Sequence, residues 1–269
     1  MDQPLNIEKT LTTIRRFLSG KLMRTAAQGY VVGLSGGIDS SLSTALAVEA
    51  VGPEKVLALI MPYRLSSSDS VAHARLLTEL LRIKSREIDI SPMIDAYFDR
   101  IDDSNQVRAG NKMARERMSI LFDVSHETGA LVLGTGNRSE NCLGYTTWYG
   151  DSACSLNPIG ELYKSEVRLM ARHLGIPEPI MSKAPSADLW AEQTDEEEIG
   201  VTYETIDGIL RHVVDLGIVS ISELEKRGFA ATDVSRVISM MNRNAFKRRL
   251  PDVAPLDKPP IPDDIVLTE

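Results

Sequence analysis

The feature that most restricts how this chain folds is a regular alternation of two kinds of segment. Short β-prone runs near 30–34, 55–61, 84–90 and 130–134 are separated by helical stretches near 39–50, 68–82, 91–101 and 107–128. Parallel strands need long crossovers, and the helices that supply them cover both faces of the sheet. The pattern therefore predicts an α/β fold with a doubly wound, mainly parallel sheet and helices on both faces. An amphipathic helix carrying Ile7, Leu11, Ile14, Leu18 and Leu22 on one stripe precedes it. Further helices are expected at 163–174, 202–216, 220–227 and 231–245, which gives one domain over 1–269 with a helical C-terminal part. The stretch 184–200, with Pro185 and a run of acids, reads as a mobile loop, and 250–269, with five prolines, as extended chain. In doubly wound sheets the ligand crevice lies beyond the carboxyl ends of the strands, so the loops after Leu34, Met61 and Gly134 are where a site belongs.

Composition narrows the partners. The 269 residues carry a formal charge of −8, a poor balance for holding nucleic acid, whose affinity comes largely from neutralising phosphates. Apolar runs such as 56–61 are far too short to span a membrane, and residues 1–9 are too polar for a signal peptide. Cys142 and Cys154 form no Cys-x-x-Cys pair, so neither a zinc site nor a disulfide framework is expected, and a cytoplasmic setting follows. Small anionic ligands stay open, because helix N-termini and a few cations can hold them.

The strongest local signal is Ser35-Gly36-Gly37-Ile38-Asp39-Ser40-Ser41, directly after Val31-Val32-Gly33-Leu34. A strand, two glycines and a helix opened by hydroxyl residues make an anion cradle: glycine lets the backbone approach phosphate, and free amides with the helix dipole face its charge. With no lysine after the glycines, this is not the Gly-x-x-x-x-Gly-Lys loop. Taken singly, Asp39 reads as a helix cap or first-turn acid, Lys164 as an exposed helix residue, and Phe246 as a core aromatic. The acids of 195–198 read as a solvated helix start or, more sharply, as a closing loop.

The Ser-Gly-Gly-x-Asp-Ser string resembles the pyrophosphate loop of the ATP pyrophosphatases. Downstream, Gly110-Asn111-Lys112-Met113-Ala114-Arg115-Glu116-Arg117, Gly134-Thr135-Gly136-Asn137-Arg138-Ser139-Glu140 and Lys183-Ala184-Pro185-Ser186-Ala187-Asp188-Leu189 are similar, in order and spacing, to the NAD synthetase branch. The resemblance implies an adenine nucleotide alpha hydrolase-like fold. It implies Mg²⁺-dependent amidation of nicotinic acid adenine dinucleotide (deamido-NAD) by ammonia and ATP through an acyl-adenylate. Residue by residue, it implies that Gly33, Leu34, Ser35, Gly36, Gly37, Ile38, Asp39 and Ser40 hold ATP together with Thr135, Lys164 and Ser186. Asp39 and Lys164 are then catalytic, Asp39 and Glu140 hold the metal, and Arg115, Trp148, Ser155, Phe246 and Lys247 face the dinucleotide. A homodimer with its dinucleotide site at the interface is implied as well. Many bacterial members carry Lys and Asp where this chain has Trp148 and Ser155. The phosphate loop begins within a few dozen residues of the start, which leaves no room for a glutaminase and makes ammonium the expected nitrogen donor. Another amidating ATP pyrophosphatase is the rival enzyme, and a nucleotide-binding regulatory module the rival without catalysis.

Overall fold

A computed structural model describes residues 5–99, 101, 105–185, 194–254 and 256. The chain enters on α1 (Ile7–Thr25), whose cap Asn6 accepts the Lys9 amide at 3.0 Å. Then follow β1 (Tyr30–Gly33), α2 (Ile38–Val51), β2 (Val56–Ile60), α3 (Ser68–Leu81), β3 (Lys84–Glu87), α4 (Ser91–Phe98), α5 (Gln106–Thr128) and β4 (Leu131–Leu133). The remainder is helical: α6 (Arg138–Leu143), α7 (Lys164–His173), α8 (Glu178–Met181), α9 (Asp195–Ile199), α10 (Tyr203–Leu210), α11 (Ile221–Lys226) and α12 (Ala231–Arg243).

The four strands are parallel in the order β3-β2-β1-β4, with Tyr30 in register with both Val56 and Leu131. Period-two alternation sends successive side chains to opposite faces, and both faces of β1 are covered. Val32 joins one core with Leu18 of α1, Leu46 of α2, Leu77 of α3 and Met170 of α7. Its neighbour Val31 joins another with Ile94 of α4 and Met113 and Val124 of α5. The doubly wound sheet read from the sequence is what forms. A third core, around Leu143, Tyr203, Ile206, Leu210, Leu224 and Val237, unites α6 with the C-terminal helices.

Several boundaries differ from expectation. β3 stops at Glu87, and its exposed Lys84-Ser85-Arg86-Glu87 run suits an edge strand that must not recruit another chain. Helix 202–216 is α10 followed by a π-helical turn, Arg211–Asp215. The polar string at 134–140 contains the start of α6, closed by a capping box between Asn137 and Glu140. The end of the stretch read as a mobile loop forms α9, while its middle lies outside the described residues. Because β2 lies on one side of β1 and β4 on the other, the strand order switches direction at the carboxyl end of β1.

Candidate active site

At that switch point a cavity of about 1020 Å³ opens, bordered by the β1–α2 loop, the loops after β2 and β4, and the N-terminus of α7. Gly33, Leu34, Ser35, Gly37, Ile38, Asp39, Ser40, Thr135, Glu140 and Lys164 all border it, as the sequence led us to expect. Gly36 supports the loop from behind. It adopts φ +78°, and a Cβ there would come 2.1 Å from the Ser70 carbonyl oxygen of α3. Ser35 and Ser40 hydroxyls meet at 3.0 Å, and Ser41 Oγ donates to the Gly37 carbonyl at 2.8 Å, so the turn is braced by its own serines.

Lys164, the first residue of α7, is 2% exposed. Its Nζ lies 2.5 Å from Asp39 Oδ2 and 3.5 Å from Glu140 Oε1, with the Tyr203 ring centroid 5.0 Å away. Asn137 Nδ2 donates to Asp39 Oδ1 at 2.9 Å, and the Asn137 amide donates to Glu140 Oε2 at 3.1 Å. The reading of Lys164 as an exposed helix residue is thus overturned: its partners lie 125 and 24 residues back along the chain, beyond any helical pattern. Burial alone pushes the Lys164 ammonium toward losing its proton, but the Asp39 and Glu140 carboxylates outweigh this and hold it above its ordinary value. Burial first, then the nearby Asp39 charge, pushes the Glu140 carboxyl well above the usual carboxylate range, with Lys164 opposing.

Two groups to which the sequence reading gave no role at the site, Asp195 and Tyr203, stand close to Lys164. Asp195, read with its neighbours as a solvated helix start or as part of a closing loop, is buried, and burial raises its carboxyl while Lys164 opposes. It accepts from Tyr203 Oη at 3.2 Å and from Tyr145 Oη at 3.4 Å. Burial, followed by the Glu140 and Asp195 charges, pushes the Tyr203 phenol far up, so it stays a donor. A run of four acids says only that a helix begins, and nothing local reveals that its first member faces a lysine.

Four of the five residues assigned to the dinucleotide, Arg115, Trp148, Phe246 and Lys247, gather next to this cavity although they lie far apart in the chain. Arg115 Nε donates to the Trp148 carbonyl at 3.3 Å, and Trp148 meets the Phe246 ring edge-on at 5.1 Å. Trp148 also stacks on Tyr149 at 4.4 Å. Lys247 Nζ donates to the carbonyls of Gly144 at 2.9 Å and Thr146 at 2.7 Å, and borders the cavity. Phe246 is 51% exposed, not the core aromatic it reads as in isolation. Ser155 sits apart from this group, its backbone and hydroxyl both tied to Val132 of β4. Ser186 lies outside the described residues.

Residues 10–251 match the NAD synthase family. The chain belongs to that family. The NAD synthase match agrees with individual relatives. An NH(3)-dependent NAD(+) synthetase from Trichlorobacter lovleyi is 50% identical over 254 residues, which cover 93% of this chain and 92% of the relative. Among solved structures, NMN synthetase from Francisella tularensis superposes with a TM-score of 0.83 at 33% identity, covering 94% of this chain and 100% of that one. NH3-dependent NAD synthetase from Campylobacter jejuni does so with a TM-score of 0.80 at 33% identity, covering 93% and 100%. As a NAD synthase family member the chain is a carbon–nitrogen ligase, and ATP is the family's co-substrate. No helix among the described residues is long and apolar enough to cross a membrane.

Proposed function

We propose that this chain amidates deamido-NAD with ammonia, spending ATP to AMP and pyrophosphate. The observation that carries the reading is the buried Lys164 ammonium held between the Asp39 and Glu140 carboxylates at the phosphate loop. A carboxylate is a poor acceptor for ammonia because its oxygens leave badly. In the first step a substrate carboxylate oxygen attacks the α-phosphorus of ATP, the bond to the bridging oxygen breaks, and pyrophosphate departs. In the second the ammonia lone pair attacks the carbonyl carbon, AMP leaves with the former carboxylate oxygen, and nitrogen gives up a proton. The main-chain amides of the Ser35–Gly37 turn and the α2 N-terminus hold phosphate oxygens. Lys164 offsets charge as pyrophosphate separates. No side chain acts as a nucleophile, and catalysis is positioning and electrostatics.

Two hard carboxylate oxygens, one from Asp39 and one from Glu140, face the same cation, here the Lys164 ammonium. That donor set fits Mg²⁺, which takes one or two carboxylates and fills its remaining positions with water and phosphate oxygens. When bound, the ion supplies positive charge for the triphosphate. Arg115, Trp148, Phe246 and Lys247 form the dinucleotide side of the site, with the Trp148 ring stacked on Tyr149 and met by Phe246. Ser155 stays in this assignment on the family resemblance alone. The exposed Phe246 edge suits closure by a second copy of the chain, so we read a homodimer; a fully active preparation sedimenting at 29.6 kDa contradicts that part. The α/β core and helical part act as one domain, in the cytoplasm, with both cysteines free.

The test offers the purified chain ATP, Mg²⁺ and each of two acids, deamido-NAD and its mononucleotide counterpart, with ammonium or with glutamine. NAD, AMP and pyrophosphate in equal amounts from deamido-NAD and ammonium are expected. Faster turnover of the mononucleotide favours the activity named for the Francisella structure, and glutamine-driven turnover free of ammonia overturns the nitrogen source.

A further inference from the structure

The first-turn amides of a helix have no partner within it, and a side chain at the cap normally takes one. Tyr163, the residue before α7, makes no such bond. The amides are instead met from elsewhere in the fold. Lys164 N donates to Ser139 Oγ of α6 at 2.9 Å, and Ser165 N donates to Asp207 Oδ2 of α10 at 2.7 Å. Ser139 Oγ then donates to Asp207 Oδ1 at 2.5 Å. One carboxylate therefore caps α7 twice, directly and through a serine. Asp207 is 3% exposed and Ser139 is wholly buried, so no solvent shares the work.

These bonds join the two backbone positions that carry the chemistry. Ser139 immediately precedes Glu140, and Lys164 is the residue whose amide is capped. The same three-way contact thus sets how far the Glu140 segment stands from the root of Lys164. Asp207 is buried on α10, whose Tyr203, Ile206, Ile209 and Leu210 belong to the core of the C-terminal helices, which gives the contact a rigid base. Its second oxygen matters: an asparagine has one acceptor and would aim an N–H at Ser139, and it would remove the negative charge that favours a helix N-terminus.

We propose that Asp207, acting through Ser139, is a positioning residue for the adenylation step, keeping the Lys164 ammonium in register between Asp39 and Glu140. This rests on the ligase reading above. Asp207 touches neither catalytic side chain, so its effect falls on rate: displacing a catalytic group by about 1 Å can cost about a hundredfold.

The experiment compares the parent with Asp207→Asn, Ser139→Ala and the double variant, measuring kcat, both KM values, ATP–pyrophosphate exchange and melting temperature. Each single variant is expected to lower kcat and exchange about ten- to a hundredfold, with KM for ATP and deamido-NAD within about threefold. The double variant should be no slower than the slower single one, because both break the same chain of bonds. A folded Asp207→Asn with kcat within about threefold of the parent overturns the proposal, as do additive losses or losses carried by KM. If Asp207→Asn does not fold, unchanged kcat in folded Ser139→Ala overturns it equally. A parent that makes no NAD instead refutes the ligase reading, so the two failures are distinguishable.

Discussion

Lysine is almost never fully buried unless it is paired, because moving an ammonium out of water costs several kcal/mol. Lys164 is paired, with Asp39 at 2.5 Å and Glu140 at 3.5 Å. The same crowding leaves Glu140 costly in the ligand-free protein, since burial and the Asp39 charge both disfavour its ionised form. A carboxyl raised in the folded state contributes stability below its unfolded value and loses it as pH rises through its folded value. Glu140→Gln should therefore flatten the fall of melting temperature with rising pH above the ordinary carboxylate range. At pH 8 the variant should melt no lower than the parent, because Asp39 still pairs Lys164, while turnover falls at least about a hundredfold through loss of a charged ligand. Melting curves across pH for the two proteins check this, and a variant clearly less stable at pH 8 contradicts it. The place of Glu140 at the cavity is legible because it sits in a specific string. The burial of Asp195 and the cap made by Asp207 are not, since both depend on partners far off in sequence.

The β1–α2 turn shows how an element can depend on its neighbour. Gly36 faces the Ser70 carbonyl of α3 at φ +78°, whereas Gly37 has ordinary φ −90° and its Cβ would lie 3.4 Å from Ser35 Oγ, a normal contact. Adding one methyl at Gly36 must move α3 or the turn and strain the backbone. We expect Gly36→Ala to destabilise by at least about 2 kcal/mol and to weaken ATP binding. Gly37→Ala should cost under about 1 kcal/mol of stability. Urea unfolding separates the two, and equal midpoints contradict this account of the loop. Elements with long apolar periodicity, α5 and α12, lie within about two residues of where their sequence puts them, and α1 carries the whole expected stripe from Ile7 to Leu22. α6, α8 and α9 are six, four and five residues long, too short to show a period; the local signals are the caps Asn137 and Thr194 for α6 and α9, and proline at the start of α8.

Across the whole molecule, the alternation of segments specified a parallel sheet, and the sheet placed the phosphate loop, the Thr135 loop and Lys164 around one crevice. What alternation does not encode is the third core, whose helices reach back to brace α6 and α7 from outside the sheet. The site therefore draws on both parts of the chain: the Ser35–Ser41 loop belongs to the α/β half, while the amides at the start of α7, where Lys164 is rooted, are capped from α6 and α10. On the proposed function, this crevice activates a carboxylate by giving it AMP. The direct measurement uses deamido-NAD labelled with ¹⁸O in its nicotinate carboxylate, with ATP, Mg²⁺ and ammonium, and mass analysis of all products. One labelled oxygen should appear in AMP, the other should remain in the NAD amide, and pyrophosphate should carry none. Label in pyrophosphate, or ADP and labelled phosphate in place of AMP, contradicts the account.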